Sequence, residues 1–334
     1  MPLPSSGQIS FSQLAAELGN ACSNVGLRAY SACANLGTPD GIIELYGKTC
    51  IPIYGGAGTW SVGGILITGR WGGATAGSQN VAFLAGGSTV APANTVTCTE
   101  EYNGTSWSVS GVLITARRGV VGAGTQNIGL AIGGYTPTDL SCTEEYNGTS
   151  WSAGGIMIAA RSFVAAAGTQ NETLAAGGYS AATPRSSCVE EYNGTSWSTS
   201  NALITGRMQL AGAGTQNSAL ASGGFVNGPV SCVEEYDGTS WSVGGILITA
   251  RRVLGGFGLQ NEALVSGGYI NVGVSCTEEY NGTSWSVGGA QITTLRNYQG
   301  AGTQSAGLAS GGYINSPVSC TEEYNKPIIG KCLA

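Results

Sequence analysis

The chain has 334 residues, of which 56 are Gly and only 10% are charged, with a formal net charge of −6 and no histidine. The missing histidine removes Ser/His and Cys/His catalysis, His-ligated metals and the usual general base near neutral pH. The acidic balance, without a basic cluster, argues against a nucleic-acid footprint, and no apolar run reaches membrane-spanning length without a charge or turn.

The opening stretch, Met1-Pro2-Leu3-Pro4-Ser5-Ser6, has no basic residue leading into an apolar core. No secretory signal is therefore expected, and synthesis should end in the cytoplasm. Residues 1–50 are not repetitive. Ser10, with Gln13 three residues on, fits a capping box for a short helix over 11–18. A second helix is predicted over 27–34. Thr38-Pro39 reads as a cap with Pro at the first helical position, opening a third helix over 40–46. Three short helices make a marginal core, so this module is expected to lean on a partner or on its own copies.

Residues 51–334 are organised by one phrase, cleanest at Cys142-Thr143-Glu144-Glu145-Tyr146-Asn147-Gly148-Thr149-Ser150-Trp151. Copies centre on Tyr102, Tyr192, Tyr236 and Tyr280, and a sixth at Tyr324 stops before its Trp. The repeat Trp residues stand at 60, 107, 151, 197, 241 and 285, a period in the forties. Four strands fit each period. In one unit they are expected over 119–124, 128–134 and 141–146, with a fourth opening at 150. Asn-Gly between the last two predicts a type I′ turn, with φ > 0 at both residues. These readings define an all-β, six-bladed propeller behind a small helical N-terminal module. Trp60 is expected to supply the missing fourth strand of the last blade and so close the ring, which removes exposed sheet edges.

The paired carboxylates Glu100-Glu101, Glu144-Glu145, Glu190-Glu191, Glu234-Glu235, Glu278-Glu279 and Glu322-Glu323 could suggest glycosidase chemistry. Successive strand residues point to opposite faces, so a pair cannot converge on one substrate. Pairing with Arg70, Arg117, Arg161, Arg207 and Arg251 is the expected role. In the sixth unit Leu295 takes that place and Arg296 falls one residue late. No catalytic residue, metal site or cofactor is expected.

Cys98, Cys142, Cys188, Cys232, Cys276 and Cys320 hold one repeat position and read as small buried thiols. Cys50 and Cys332 are expected to approach each other near the closure, and Cys22 with Cys33 is a second candidate pair. Bonding of either needs oxidation after cell exit. The loop between the second and third strands varies from unit to unit, and such loops are the usual place of recognition. The candidate binding residues are therefore Thr89, Pro92, Asn94, Thr136, Pro137, Thr138, Asp139, Thr183, Pro184, Arg185, Asn227, Gly228, Pro229, Asn271 and Asn315. Their chemistry suits a glycan or protein surface.

Two resemblances add to this reading. Pro4-Ser5-Ser6-Gly7-Gln8-Ile9-Ser10-Phe11, with Ile43-Glu44-Leu45-Tyr46-Gly47-Lys48, resembles the start of many tailed-phage virion and tail-fibre proteins. The Gly133-Gly134 pair, then Tyr146, then Trp151, resembles the kelch repeat, and every unit shares it with minor changes. Asn-Gly-Thr-Ser-Trp echoes the end of the sialidase Asp-box, but Tyr stands where that box needs Asp. The resemblances imply a non-enzymatic virion adhesion protein, assembled in the host cytoplasm. It would hold other virion proteins through residues 1–50, display the propeller to a host-surface glycan or protein, and act as a homo-oligomer in the particle. Neither nucleic acid nor membrane insertion is expected. The alternatives are a non-phage kelch-like interaction scaffold and a propeller glycosidase.

Overall fold

A computed structural model describes the backbone of residues 43–45, 48–54, 56–89 and 94–332, with side chains over 56–89 and 94–327. The chain divides into two compact units, Met1–Gly58 with Lys326–Ala334, and Thr59–Asn325. In the first, strands Ile43–Leu45, Lys48–Tyr54 and Ile328–Cys332 form one antiparallel sheet. Its register places Cys50 directly opposite Cys332. The helix expected over 40–46 gives way to strand at Ile43–Leu45. The helices expected over 11–18 and 27–34, and Cys22 and Cys33, lie outside the described residues.

The second unit is a β-propeller of six four-stranded antiparallel blades. Blade 1 runs Ala74–Gly77, Ala82–Ala85, Thr99–Tyr102 and Trp107–Ser110. Blade 6 runs Gln299–Thr303, Ala306–Ser310 and Thr321–Asn325, and takes its fourth strand, Thr59–Val62, from the other end of the chain. Tyr324 pairs with Trp60 in register, just as Tyr146 pairs with Trp151 inside blade 2. The expected closure is therefore present.

Small residues fill the first strands because these strands crowd the axis. A Cβ on Gly122 would lie 2.5 Å from Thr75 O, and one on Gly212 would lie 2.4 Å from Ala166 O, each a carbonyl of the neighbouring blade. Strands in the unit of blade 2 are shorter than the sequence suggests: Val121–Gly124, Gly129–Ile132, Thr143–Tyr146 and Trp151–Ala153.

The turn after Tyr146 also differs. Positive φ falls on Gly148 (89°) and not on Asn147, so this is a four-residue loop rather than a type I′ turn. The Asn147 side chain holds it, with Oδ1 accepting from Thr149 N (3.0 Å), Thr149 Oγ1 (2.9 Å) and Ser150 N (2.9 Å). Local capping of this kind is what makes Asn and Asp favoured turn residues.

Three kinds of side chain reach from each blade into the one before it. Tyr146 donates to Glu101 (2.5 Å), Tyr192 to Glu145 (2.6 Å), Tyr236 to Glu191 (2.7 Å), Tyr102 to Glu323 (2.6 Å), and Tyr280 and Tyr324 to Glu235 and Glu279. This ring is complete. Gln Nε2 makes a second: Gln126 donates to Tyr102 O at 2.9 Å, and Gln79 closes the ring on Tyr324 O at 2.8 Å.

The Trp indoles show how one residue type governs the third contact. Trp60, Trp107, Trp151 and Trp197 donate to Thr277, Thr321, Thr99 and Thr143 at 2.9–3.0 Å. Blades 3 and 4 carry Val189 and Val233 at that position, which offer no acceptor. Trp285 turns to Gly245 O instead, and Trp241 Nε1 is buried without a partner. Thr99→Val should orphan the Trp151 indole and lower stability by about 1–3 kcal/mol, while Val189→Thr should supply the missing acceptor and raise it by about 1 kcal/mol. Urea titration of both variants reads the two signs, and reversed signs would contradict the Thr–Trp account.

The register at Cys50 and Cys332 gives a second prediction. Protein taken from an oxidising medium and alkylated under denaturing conditions without reductant should leave these two cysteines unlabelled in a peptide map. Full labelling of both would show that the strands are held without a covalent clasp.

Candidate functional site

The links between blades set the site. In blade 2 the Glu144 carboxylate accepts from Ile114 N (2.7 Å) and Thr115 N (3.1 Å) and pairs with Arg117 at 3.0 Å. The pair is fully enclosed, and the arrangement recurs at Arg70–Glu100, Arg161–Glu190, Arg207–Glu234 and Arg251–Glu278. Removing one partner of a buried ion pair costs ~3–5 kcal/mol, so these pairs fix the path of each link. The expected Glu–Arg pairing thus holds for the first Glu of each doublet in five blades. The second Glu instead receives the Tyr hydroxyl of the following blade.

The residue after each buried Arg, and Arg296 after Leu295 in blade 6, lies at the loop face. There it bridges to the residue that follows the Gly pair: Trp71 with Ser88, Arg118 with Tyr135, Ser162 with Tyr179, Met208 with Phe225, Arg252 with Tyr269 and Arg296 with Tyr313. The Gly pairs permit this approach. Gly133 and Gly134 have φ of 58° and 111°, and Gly134 N donates to the carbonyl of Arg161 in the next blade at 3.0 Å.

One residue further on, the chain rounds the axis in left-handed backbone. Gly72, Gly119, Phe163, Gln209, Val253 and Asn297 have φ of 66°, 60°, 54°, 58°, 51° and 55°. Backbone bonds run between them, among others Phe163 N to Gly119 O (2.8 Å), Asn297 N to Val253 O (2.9 Å) and Gly72 N to Asn297 O (2.8 Å). Glycine adopts this backbone freely, whereas a β-branched residue such as Val253 is a true outlier there. Such strain costs of order 1–3 kcal/mol and gathers at functional sites.

Around this mouth runs an arc of alternating guanidinium groups and aromatic rings. Arg252 lies over Phe225 (4.8 Å) and Tyr269 (5.3 Å), and Arg296 lies over Tyr269 (4.6 Å) and Tyr313 (5.0 Å). Tyr313 meets Trp71 edge-on at 6.3 Å, and Arg118 lies over Trp71 (5.2 Å) and Tyr135 (5.1 Å). Arg185 extends the arc at its far end, 5.8 Å over Phe225. A cavity of about 320 Å³ opens between Trp71, Arg252, Tyr269, Arg296 and Tyr313, floored by Gln209, Val253 and Asn297.

The predicted loop residues sit on this same face. Asn94, Pro137, Thr138, Thr183, Pro184, Arg185, Asn227, Asn271 and Asn315 are exposed, and Thr136, Asp139, Gly228 and Pro229 are half-buried. Pro92 lies outside the described residues. Asp139 ties neighbouring loops together, accepting from Ser162 Oγ (2.8 Å) and Ala181 N (3.1 Å). Thr95 and Thr136 hydroxyls meet at 3.4 Å. Of the predicted residues, only Arg185 joins the arc.

Charge is divided between the two faces. Setting aside the buried pairs, the Tyr-bound carboxylates and buried Glu322, the loop face carries Arg118, Arg185, Arg252 and Arg296 against Asp139. The turn face carries Glu172, Asp237 and Glu262, all exposed. A cationic mouth therefore sits on a chain whose net charge is −6.

The repeated cysteines are half-buried rather than buried. Burial pushes the thiols of Cys98, Cys142, Cys188 and Cys232 up, and that of Cys320 to about 11, which makes them poor nucleophiles. Among the described residues, no group of three or more His, Cys, Asp or Glu could hold a metal ion. Neither a protein-family model nor a curated relative matches the chain.

The sequence reading missed the arc. The absence of a basic cluster along the chain does not carry over to space, because Arg118, Arg252 and Arg296 come from different blades. Arg296 is not a displaced copy of the buried Arg. It is in register with Arg118 and Arg252, the second members of the doublets Arg117-Arg118 and Arg251-Arg252. Those doublets, and an aromatic directly after most Gly pairs, are the signals that could have found it.

Blade 6 supplies a pH prediction. Leu295 replaces the buried Arg, and Tyr298 packs beside it with its hydroxyl on Ser266 O (2.7 Å) and Gln291 Nε2 (3.1 Å). Glu322 keeps its bonds from Ile292 N (2.9 Å) and Thr293 N (2.8 Å) but has no Arg, and burial raises its pKa. A carboxyl with a raised pKa binds more protons folded than unfolded, so its contribution to stability falls as pH rises through that pKa. The stability difference between Glu322→Gln and the parent should therefore move in favour of the variant as pH rises from the ordinary carboxylate range toward neutrality. A difference independent of pH, measured by urea titration at several pH values, would contradict the burial effect.

Proposed function

We propose that the chain is a non-enzymatic virion adhesion protein of a tailed phage, a tail fibre or particle-surface protein that presents the loop face of its propeller to the host. Residues 1–50 act as the attachment module, as their resemblance to phage virion N-termini suggests. The observation that carries the reading is the concentration of open side chains, strained backbone and positive charge on one face. The propeller is entered at Thr59 and left at Asn325, which pair beside the turns of the opposite face. That polarity suits an anchored head. A non-enzymatic role is supported by the carboxylates, since each doublet divides between an Arg or backbone amides and a Tyr hydroxyl. The outer rim exposes Val62, Ile65, Ile67, Val109, Val112 and Ile114, a surface that neighbouring subunits in a particle could cover.

Substitutions at exposed Thr138, Thr183 and Asn227 should reduce attachment of particles to host cells while the protein stays particle-bound. Substitutions in residues 8–18 should release it from the particle. Mass spectrometry of purified particles with an adsorption assay reads both. Loop variants that leave the particle, while incorporated protein attaches normally, would overturn the assignment, as would a parent protein absent from particles.

A further inference from the structure

We propose that the arginine–aromatic arc is a binding site for an acidic saccharide, with Arg252 and Arg296 gripping a carboxylate of a uronic-acid unit seated in the axial hollow. The inference rests on the reading of the loop face as the recognition surface and names what that surface takes.

The stacking contacts define what each guanidinium is prepared to do. Arg252 and Arg296 each lie between two rings, 4.6 to 5.3 Å from the centroids. One bond anchors each group: Arg252 Nη1 donates to Gln209 Oε1 at 3.0 Å, and Arg296 Nη2 to Ile314 O at 3.2 Å. A guanidinium has five N–H donors in a rigid fork that matches carboxylate geometry. Rings against its faces and one bond at an edge hold that fork still, so little side-chain entropy remains to be lost when an anion arrives. Both arginines line the cavity of about 320 Å³, near the lower end of small-molecule sites.

The remaining lining selects among anions. Gln209 and Asn297 place amide groups on the floor, and Tyr269 and Tyr313 place rings at the wall. Amides bond to hydroxyls, and rings pack against the C–H faces of a sugar. The site is also open to solvent, so a polymer can enter by one unit and continue over Thr, Asn and Ser in the loops. Nucleic acid is disfavoured because it binds along tracks of many cationic contacts, whose number sets the salt dependence. Here the positive groups form an arc around one hollow, and no lysine lies on the loop face among the described residues.

Strain supports the same place. Gly72 and Gly119 show that glycine serves at this left-handed position around the axis. Gln209, Val253 and Asn297 nevertheless hold side chains there at positive φ, and all three line the cavity. Side chains kept at strained positions mark a mouth whose lining matters.

The test uses the purified full chain and calorimetric titration with oligogalacturonate, a size-matched neutral oligosaccharide, a keratan sulfate oligosaccharide, which carries sulfate but no uronic acid, and single-stranded DNA, each at physiological salt. Binding should favour oligogalacturonate over the neutral sugar by about tenfold or more, the range of a charge-assisted hydrogen bond. Arg252→Lys with Arg296→Lys keeps the charge but removes the fork, and should lose most of that preference. Glu262→Gln, on the opposite face, should bind as the parent does. Unfolding curves confirm that each variant is folded, and Arg296→Gln alone serves if the double variant is not. The proposal is overturned by equal binding of acidic and neutral sugars, by preference for the sulfated sugar or DNA, or by lysine variants that bind normally. Because the readout uses isolated protein, it stands apart from particle association. A protein found on particles that ignores uronates sinks this inference alone, and a uronate-binding protein absent from particles sinks only the virion assignment.

Discussion

Each blade of this propeller holds the preceding one through a tyrosine hydroxyl bonded to a carboxylate that the strand cannot turn away. The bond is charge-assisted, and bonds of that kind contribute ~1.5–3 kcal/mol each. Burial and the Glu partner push the Tyr102 and Tyr146 hydroxyls up to about 12, so both remain protonated donors at any physiological pH. The Gln amides and the Gly N–H groups run between the same neighbours. Every contact of these three kinds is directional, and each series closes on itself only when blade 6 is complete. Blade 6 is complete only when Thr59–Val62 joins it. Closure and folding are thus coupled, and the third strand of blade 6 is not left as an open edge that invites aggregation.

The same repetition explains what the sequence made legible. Repeating Tyr, Trp and Gly-Gly fixed the number of blades and the source of the last strand, because each must recur once per blade to close a ring. The turn chemistry was misjudged because Asn147 satisfies three donors with its side chain, and this removes the need for positive φ at that residue. The mouth was illegible for a different reason. Arg118, Arg252, Arg296 and Trp71 lie far apart along the chain and occupy one repeat position that is not uniform. A pattern that seeks uniform positions passes over it, and only the ring brings its members side by side.

The doubled arginines divide between two settings. The first of each pair is buried on Glu and fixes the link. The second, carried outward by that link, stacks between rings at the mouth. Blade 6 shows the division clearly, since it replaces the buried Arg by Leu295 while keeping Arg296 in the arc. Blade 6 thus lacks the buried ion pair but retains the outward, ring-stacked guanidinium. The cost of that arrangement appears nearby, in left-handed Val253 and in the Trp71 and Arg252 donors left without partners.

Ring closure by the N-terminal strand is the claim on which the rest stands, and deletion of residues 57–63 tests it most directly. The account predicts that the shortened chain loses its cooperative thermal transition and self-associates through the open edge of blade 6, read by calorimetry and light scattering. A shortened chain that stayed monomeric and unfolded at the parent temperature would contradict it.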